Sequence, residues 1–215
     1  ANKENLTQDG MRYTSTRDTS LDVSFEEALT SGYAPDGGLF VPRKLPEITG
    51  KLLREWRDLD YGSLMERILR FFIDVREVSD SELSQVCRDS LVGFVDPKHA
   101  IPVVHLKDSF YFAELFHGPT FCFKDLGMRP VINLLNLFGT RSKTNITLIV
   151  STTGDTGPAA VKAVADLHSA YLKIAVHYPR NQISEFQRRQ MTTIDSDSVR
   201  VVAFEGGGDD MDLPI

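Results

Sequence analysis

The feature that most constrains this chain is a change of hydrophobic period after Asp96-Pro97. From there on, short β-branched or apolar runs alternate with segments of helical spacing. Strands are expected at 110–115, 146–151, 172–178 and 199–204. Helices are expected from Lys124 to about Phe138, over 156–168 and over 184–191. A β-α-β-α-β-α-β order implies a parallel sheet covered by helices, with right-handed crossovers. The run at 146–151 is β-branched and apolar, which predicts a buried strand. Pro130 costs about 3 kcal/mol in a helix interior, so a late start or a kink is expected there.

Before Pro97 the pattern is mostly helical. Ser24-Phe25-Glu26-Glu27 is a capping box, predicting a helix from 24 to about Thr30. Gly32 and the turn Pro35-Asp36-Gly37-Gly38 end it, and a short apolar run at 39–41 is closed by Pro42. Tyr61, Leu64, Met65, Ile68, Leu69 and Phe72 fall on one face of a helix over 61–74. Ser79 with Glu82 opens another, to about Val92. The expected architecture is α/β. A mostly helical N-terminal domain at 11–95 precedes part of a parallel-sheet domain at 96–215. Residues 1–10 are polar and unlike a signal peptide; they read as a flexible leader, or Met11 as the natural start.

Charge and cysteine use exclude several classes. Lys and Arg number 24 against 30 Asp and Glu, a net charge of −6 with no basic stripe, so neither nucleic acid nor an anionic membrane is an expected partner. No apolar run is long enough to span a bilayer. The two cysteines, Cys87 and Cys122, have no partner pattern, and the five histidines lack metal-ligand spacing. The expectation is a reduced, cytoplasmic protein without a metal. The glycosylation patterns at Asn5-Leu6-Thr7 and Asn145-Ile146-Thr147 are then chance matches.

Two stretches carry chemistry. In HGPTFCFKDLG, residues 117–127, Lys124 follows Phe121 and Phe123 and precedes Asp125. Partial burial behind two rings would lower the amine's pKa, as a nucleophile needs. The bland alternative is a packed stem with its ammonium in water. In 151–157, Ser-Thr-Thr-Gly-Asp-Thr-Gly joins a strand to a helix. Its glycines, hydroxyls and helix N-terminus suit a carboxylate or phosphate; a plain loop with Asp155 or Thr156 as N-cap is equally compatible. It lacks the dinucleotide and P-loop patterns. Loops at the carboxyl ends of parallel strands share a crevice, so Lys124 is expected beside this loop, where an amine suits a Schiff base with an aldehyde cofactor. His117 reads as a turn residue, Gln187 and Gln190 as helix-capping or pocket-lining. Glu205, Asp209, Asp210 and Asp212 read as a solvated loop without EF-hand spacing.

Five ordered segments together resemble the threonine synthase and threonine synthase-like family, in its N-terminal portion, from Met11 onward. They are Tyr13-Thr14-Ser15-Thr16-Arg17, then Ser24 to Ala28 with GYAPDGGLFVP at 32–42, then ELFHGPTFCFKD at 114–125, then Thr153 to Gly157, and Gln187-x-x-Gln190-Met191-Thr192-Thr193. That family has the tryptophan-synthase β-like fold, fold type II, and uses pyridoxal 5′-phosphate (PLP). The resemblance implies that Lys124 holds the cofactor as a Schiff base and moves protons on the substrate. It implies that Phe123 and Asp155 also serve the cofactor, Asp155 near its phenolic oxygen. It implies that Thr152, Thr153, Gly154, Thr156 and Gly157 bind the substrate carboxylate, with Gln190 in the pocket. Ser15, Thr16 and Arg17 would bind the phosphate of O-phospho-L-homoserine. The implied activity is a carbon–oxygen lyase of threonine biosynthesis, acting on a small phospho-amino acid as a monomer or homodimer. The implied product is threonine or 2-oxobutyrate. Two alternatives stay open at this point: a non-catalytic relative acting in binding or signalling, and a serine or threonine dehydratase-type PLP enzyme.

Some positions depart from the family pattern. Thr153 replaces a serine, and Pro158 stands where a small residue is favoured. Asp18 adds negative charge beside the phosphate-binding segment, Gln182 stands where relatives often have Arg, and Asn181 replaces a glycine. The family's cofactor-phosphate loop and its pyridine-nitrogen partner lie in the later half, beyond Ile215. A truncated portion of a longer enzyme is therefore expected.

Overall fold

The computed structural model describes residues 10–210. The Asn5 pattern, most of the expected leader and Asp212 lie outside the described residues. The chain divides into two compact units, one ending at Arg88 and one beginning at Asp89.

In the first unit, strand β1 (Tyr13–Ser15) pairs antiparallel with β2 (Phe40–Pro42), Thr14 opposite Val41. Helix α1 (Phe25–Ser31) starts where the Ser24 hydroxyl accepts from Glu27 N, and Glu77 accepts from the N–H groups of Phe25 and Glu26. It ends at Gly32, whose φ of 73° lies in the region open to glycine. Helix α2 (Gly50–Trp56), not expected from the sequence, is capped by Thr49. Its signal is weak because Leu52, not an acid, stands at the third helical position. Helix α3 (Tyr61–Arg70) is capped by Asp60, and α4 (Asp80–Ser90) follows. Helix α3 stops short of the expected Asp74: Phe71 N already bonds to the Ile68 carbonyl, a tightened last turn.

Tyr13 is the pin of this unit. Its ring lies 5.9 Å from that of Phe25, and its hydroxyl donates to the Phe72 carbonyl at 2.7 Å. Burial, then the charge of Glu77, pushes its pKa from 10.0 up to about 12. Between those values the unfolded chain loses a proton that the folded chain keeps, so stability falls as pH rises. Two units correspond to about 2–3 kcal/mol lost by pH 12. Urea melts of the wild type are expected to steepen above pH 10, and those of Tyr13→Phe to lack that component.

In the second unit, the strand expected at 110–115 does not join the parallel sheet. Strand β3 (Val103–Lys107), not expected at all, pairs antiparallel with β4 (Phe110–Ala113) as an exposed hairpin. Lys107 faces Phe110 across a two-residue turn, Asp108-Ser109, with Asp108 at φ 49°. Two apolar runs separated by two turn residues are a hairpin signature, and that signal was in the sequence.

Helix α5 (Lys124–Ser142) then leads to three parallel strands in sequential order, β5 (Ile146–Ser151), β6 (Leu172–Pro179) and β7 (Val199–Phe204). Helices α6 (Thr156–Leu167) and α7 (Glu185–Thr192) connect them. Helix α5 starts at Lys124, not late, and carries Pro130 within its second turn. Leu172, Ile174, Val176 and Val199 are buried on the face where α6 packs, whereas Ile149 and Val202 on the other face are exposed. Consecutive right-handed crossovers place both connecting helices on one side. Strand β5 is accordingly half-buried here, not buried on both faces as its composition suggests.

The division at residue 88 lies before Pro97 because the intervening segment bonds forward. Val95 N donates to the His117 carbonyl, and the buried guanidinium of Arg129 donates to the Ser90 carbonyl. Among the described residues, no helix is long and apolar enough to cross a membrane and no His, Cys, Asp and Glu cluster suits a metal.

Candidate active site

The segment 117–125 is folded around Asp125. This carboxylate is 1 % exposed and accepts from both the backbone N–H and the hydroxyl of Thr120, at 2.8 and 2.9 Å. Gly118 makes this possible, since a Cβ there would lie 2.5 Å from the Asp125 carboxylate. Burial raises the Asp125 pKa; the Thr120 hydrogen bonds and Arg129 oppose it. The loop must then turn sharply, and Phe121 sits at φ 61°, a strained position for a bulky residue. Its ring is 63 % exposed and faces Phe186 at 6.4 Å.

Lys124 is the first residue of α5. Its Nζ lies 5.0 Å from the centre of the Phe123 ring, an attractive cation–π distance. Among the described residues its amine has no carboxylate and no hydrogen-bond partner. Lys124 is itself part-buried, although the two rings do not enclose it: Phe123 is half-exposed and Phe121 turns outward.

The strand–helix loop is built around Thr152. This hydroxyl, 2 % exposed, accepts from the N–H groups of Gly154 and Gly157, both at 3.0 Å. Asp155 occupies the N-cap position of α6, yet its side chain makes no capping bond. Thr152 does that work from within, which leaves the Asp155 carboxylate free to face outward. Gly154 has φ 133°, and Gly157 has no room for a Cβ against Thr152 and Met191. Thr153 is exposed, Thr156 is half-buried, and Pro158 sits in the first helical turn, where proline is tolerated. Thr152→Val keeps the shape and orphans two buried N–H groups, which is expected to cost about 1–3 kcal/mol. Thr152→Ser should restore most of it in the same urea melts.

The two segments meet. Cys122 lies beside Asp155, whose charge acts on the thiol, and Asp155 accepts from Gln187 Nε2 at 2.8 Å. Gln190 Nε2 donates to the Thr120 carbonyl at 3.0 Å. A pocket of about 240 Å³ opens between residues 120–122, Gly154 and Asp155, and the α7 residues Phe186, Gln187 and Gln190. It is thus the loop leading into Lys124, through Thr120 and Cys122, that lies against the Gly154–Asp155 turn and α7, by a route other than the one expected. Strand β4 is not in the parallel sheet; helix α5 instead packs along α6 and brings the loop before α5 to the carboxyl end of β5. Lys124 starts two residues beyond Cys122, and its side chain is not among those lining the pocket.

Gln187 is both a cap and a pocket residue. The roles of Cys122, Thr120 and Asp125 were not legible: thiols and carboxylates beside a lysine carry no pattern until the loop closes. Asn181 has φ 63°, consistent with its replacing a glycine, and Gln182 donates to the Gly206 carbonyl. His117 hydrogen-bonds to Glu114 at 2.7 Å, a turn contact.

Ser15, Thr16 and Arg17 lie in the first unit. The fully buried Ser15 hydroxyl donates to Asp36 and accepts from Arg17 N, while Thr16 Oγ1 accepts from Leu39 N. Arg17 donates to the Asp36 carbonyl and is otherwise exposed. Gly38 is required here, because a Cβ would meet the Ser15 hydroxyl at 2.2 Å. Asp18 binds the N–H and hydroxyl of Ser20, which lowers its pKa.

The second unit thus defines a class: an open parallel α/β sheet with a lysine opening one helix beside a glycine-bearing strand–helix loop. Comparison with known proteins narrows it. Residues 12–91 match the family model described as threonine synthase N terminus. The chain is 37 % identical over 205 residues to "Threonine synthase-like 2" of Mus musculus, covering 95 % of this chain and 42 % of that protein. It is 35 % identical over 200 residues to threonine synthase of Pseudomonas aeruginosa, covering 93 % and 42 %. The solved threonine synthase from yeast superposes with a TM-score of 0.84 at 33 % identity, over 93 % of this chain and 42 % of that one. PLP bound threonine synthase from Brucella melitensis gives 0.84 at 30 % identity, over 94 % and 43 %. The chain spans about two fifths of the length of these relatives. It belongs to the threonine synthase and threonine synthase-like family and corresponds to its N-terminal portion.

Proposed function

We propose that this chain carries the lysine-bearing half-site of a PLP-dependent, threonine synthase-like carbon–oxygen lyase. The observation that carries the reading is Lys124 itself, an amine without an ion-pair partner among the described residues, two residues from a thiol that lies beside Asp155. The side chains fit the cofactor. An unpaired primary amine suits its aldehyde, the half-exposed Phe123 ring offers a flat apolar face, and Asp155 offers a carboxylate not spent on capping. When bound, PLP supplies an electron sink for carbanions next to the amino-acid nitrogen.

The chain's own groups would do the rest. Lys124 would hold the cofactor through its aldehyde and would move protons at the substrate carbons. Asp155 would help to orient the cofactor. The Thr152–Gly157 turn binds the α-carboxylate: Thr152 holds the turn rigid from inside, and Thr153, Gly154, Thr156 and Gly157 form its outer surface. Gln190 lines the pocket. Thr16 and Arg17 bind the substrate phosphate, with buried Ser15 supporting their backbone. The substrate is O-phospho-L-homoserine. Its phosphate leaves by elimination and water adds at Cβ, so that phosphohomoserine and water give threonine and phosphate. Hydrolysis of the same intermediate would give 2-oxobutyrate, ammonia and phosphate. Family membership supports this reading, over the two fifths of the relatives' length that the chain spans.

The experiment is a visible-absorbance titration of the chain with PLP, followed by borohydride reduction and peptide mass mapping. Selective labelling of Lys124 is the expected result. Random labelling of exposed lysines, with none selective at Lys124, sinks the reading.

A further inference from the structure

The pocket holds a carboxamide that the reaction scheme does not use. The Gln187 oxygen accepts from the Ser184 N–H at 3.1 Å and from the Ser184 hydroxyl at 2.8 Å, closing a capping box at the start of α7. With its oxygen committed to two donors, the amide cannot flip, and its NH2 must face the other way. It faces Asp155 Oδ1 at 2.8 Å. Gly154 is shaped to that amide: a Cβ there would lie 2.6 Å from the Gln187 carboxamide. Across the pocket mouth from Gln187, Asp155 also lies beside the Cys122 thiol, from the loop that leads into Lys124.

We infer that Gln187 is a positioning residue, whose cap-fixed amide holds the Asp155 carboxylate against Cys122 at the mouth of the pocket. The value of that position for the cofactor rests on the proposed PLP reading; the geometry of the three side chains does not. An amide needs no proton exchange to keep this orientation, and a glutamate would repel Asp155 while still capping the helix. That accounts for glutamine at a capping position where glutamate serves equally well elsewhere.

Cys122 reports on the arrangement without any cofactor. Cys87 is buried, so an aromatic disulfide reagent reads Cys122 in the folded chain, as peptide mapping would verify. Burial first, then the carboxylates of Asp155 and Asp125, holds this thiol above its usual range, against the opposing Lys124 backbone N–H. The rate is measured against pH for wild type, Asp155→Asn, Gln187→Met and Ser184→Ala. The plateau reports access to the sulfur and the midpoint reports its charged surroundings. Asp155→Asn lowers the midpoint by removing a facing charge. Gln187→Met, which keeps the length and removes the donor, is expected to lower it as well, because the released carboxylate swings into water. A fall of one unit raises the thiolate fraction about tenfold and the rate near neutral pH about threefold, since nucleophilicity falls with pKa. Ser184→Ala removes the hydroxyl from the cap but keeps the residue 184 backbone N–H on the Gln187 oxygen, which still orients the amide's NH2 on Asp155, so its midpoint stays at the wild-type value. An unchanged or higher midpoint in Gln187→Met overturns the inference, as does an equal fall in Ser184→Ala, which would assign the effect to capping. Failure of the PLP titration with these midpoints as expected would sink the cofactor reading and leave the positioning intact.

Discussion

Lys124→Ala is expected to abolish the selective borohydride-stable PLP adduct while leaving the chain folded. The fold is insensitive to this change for two reasons. Alanine is a good helix former at the first position of α5, and the deleted amine's cation–π contact with the Phe123 ring is worth about 0.5–1 kcal/mol. The adduct is sensitive because none of the residues lining the nearby pocket is itself a lysine. Lys162, on α6, is already paired with Asp166. Lys124→Arg should behave like alanine, because a guanidinium keeps the charge and does not condense with aldehydes. Retention of one selective adduct in Lys124→Ala, mapped to another lysine, would move the site elsewhere. Circular dichroism and a urea melt on the same sample separate loss of the nucleophile from loss of structure.

The second large effect is on stability, at the residue next door. Asp125→Ala removes the acceptor of two Thr120 donors within a site closed to water. Losing a charged acceptor and stranding both donors is expected to cost about 3–5 kcal/mol. That is a large share of the 5–15 kcal/mol of a typical domain. Asp125→Asn keeps one acceptor oxygen and the shape, and should cost about half as much. Gly118→Ala tests the same closure from the other side, since its new methyl would meet the buried carboxylate rather than the flexible end of a side chain. These costs should appear as a lower urea midpoint for the second unit. Because the loop that Asp125 organises also carries Cys122, the reactivity plateau of that thiol should rise in all three variants. A destabilisation of Asp125→Ala below about 1 kcal/mol would mean that the loop is held by something other than this carboxylate.

Periodicity made the helices and parallel strands of this chain legible. The bounds of β5 and β7 follow from their β-branched runs, and Ser24, Asp60 and Ser184 declare their helices through hydrogen bonds made within a few residues. Such local interactions depend only on neighbours in the chain, so the sequence states them directly. The lysine and the glycine-bearing turn were legible too, because their residue types are unusual for the places they occupy. What the sequence by itself determined is thus the order of elements apart from α2 and β3, the family, and the two segments that carry chemistry.

Tertiary structure decided the partners. Strand β4 chose β3 over the parallel sheet through a two-residue turn, and Cys122 found Asp155 because α5 lies along α6. Gln187 turned its amide toward Asp155 because its oxygen was already taken by Ser184. Ser15 and Thr152 look like ligand hydroxyls in the sequence, yet both are buried and committed to their own chain, Ser15 to Asp36 and the Arg17 N–H, Thr152 to the N–H groups of its turn. Whether a hydroxyl serves a ligand or its own chain depends on which groups lie within about 3 Å of it. That distance is set by the packing of segments far apart in sequence, and no local pattern records it.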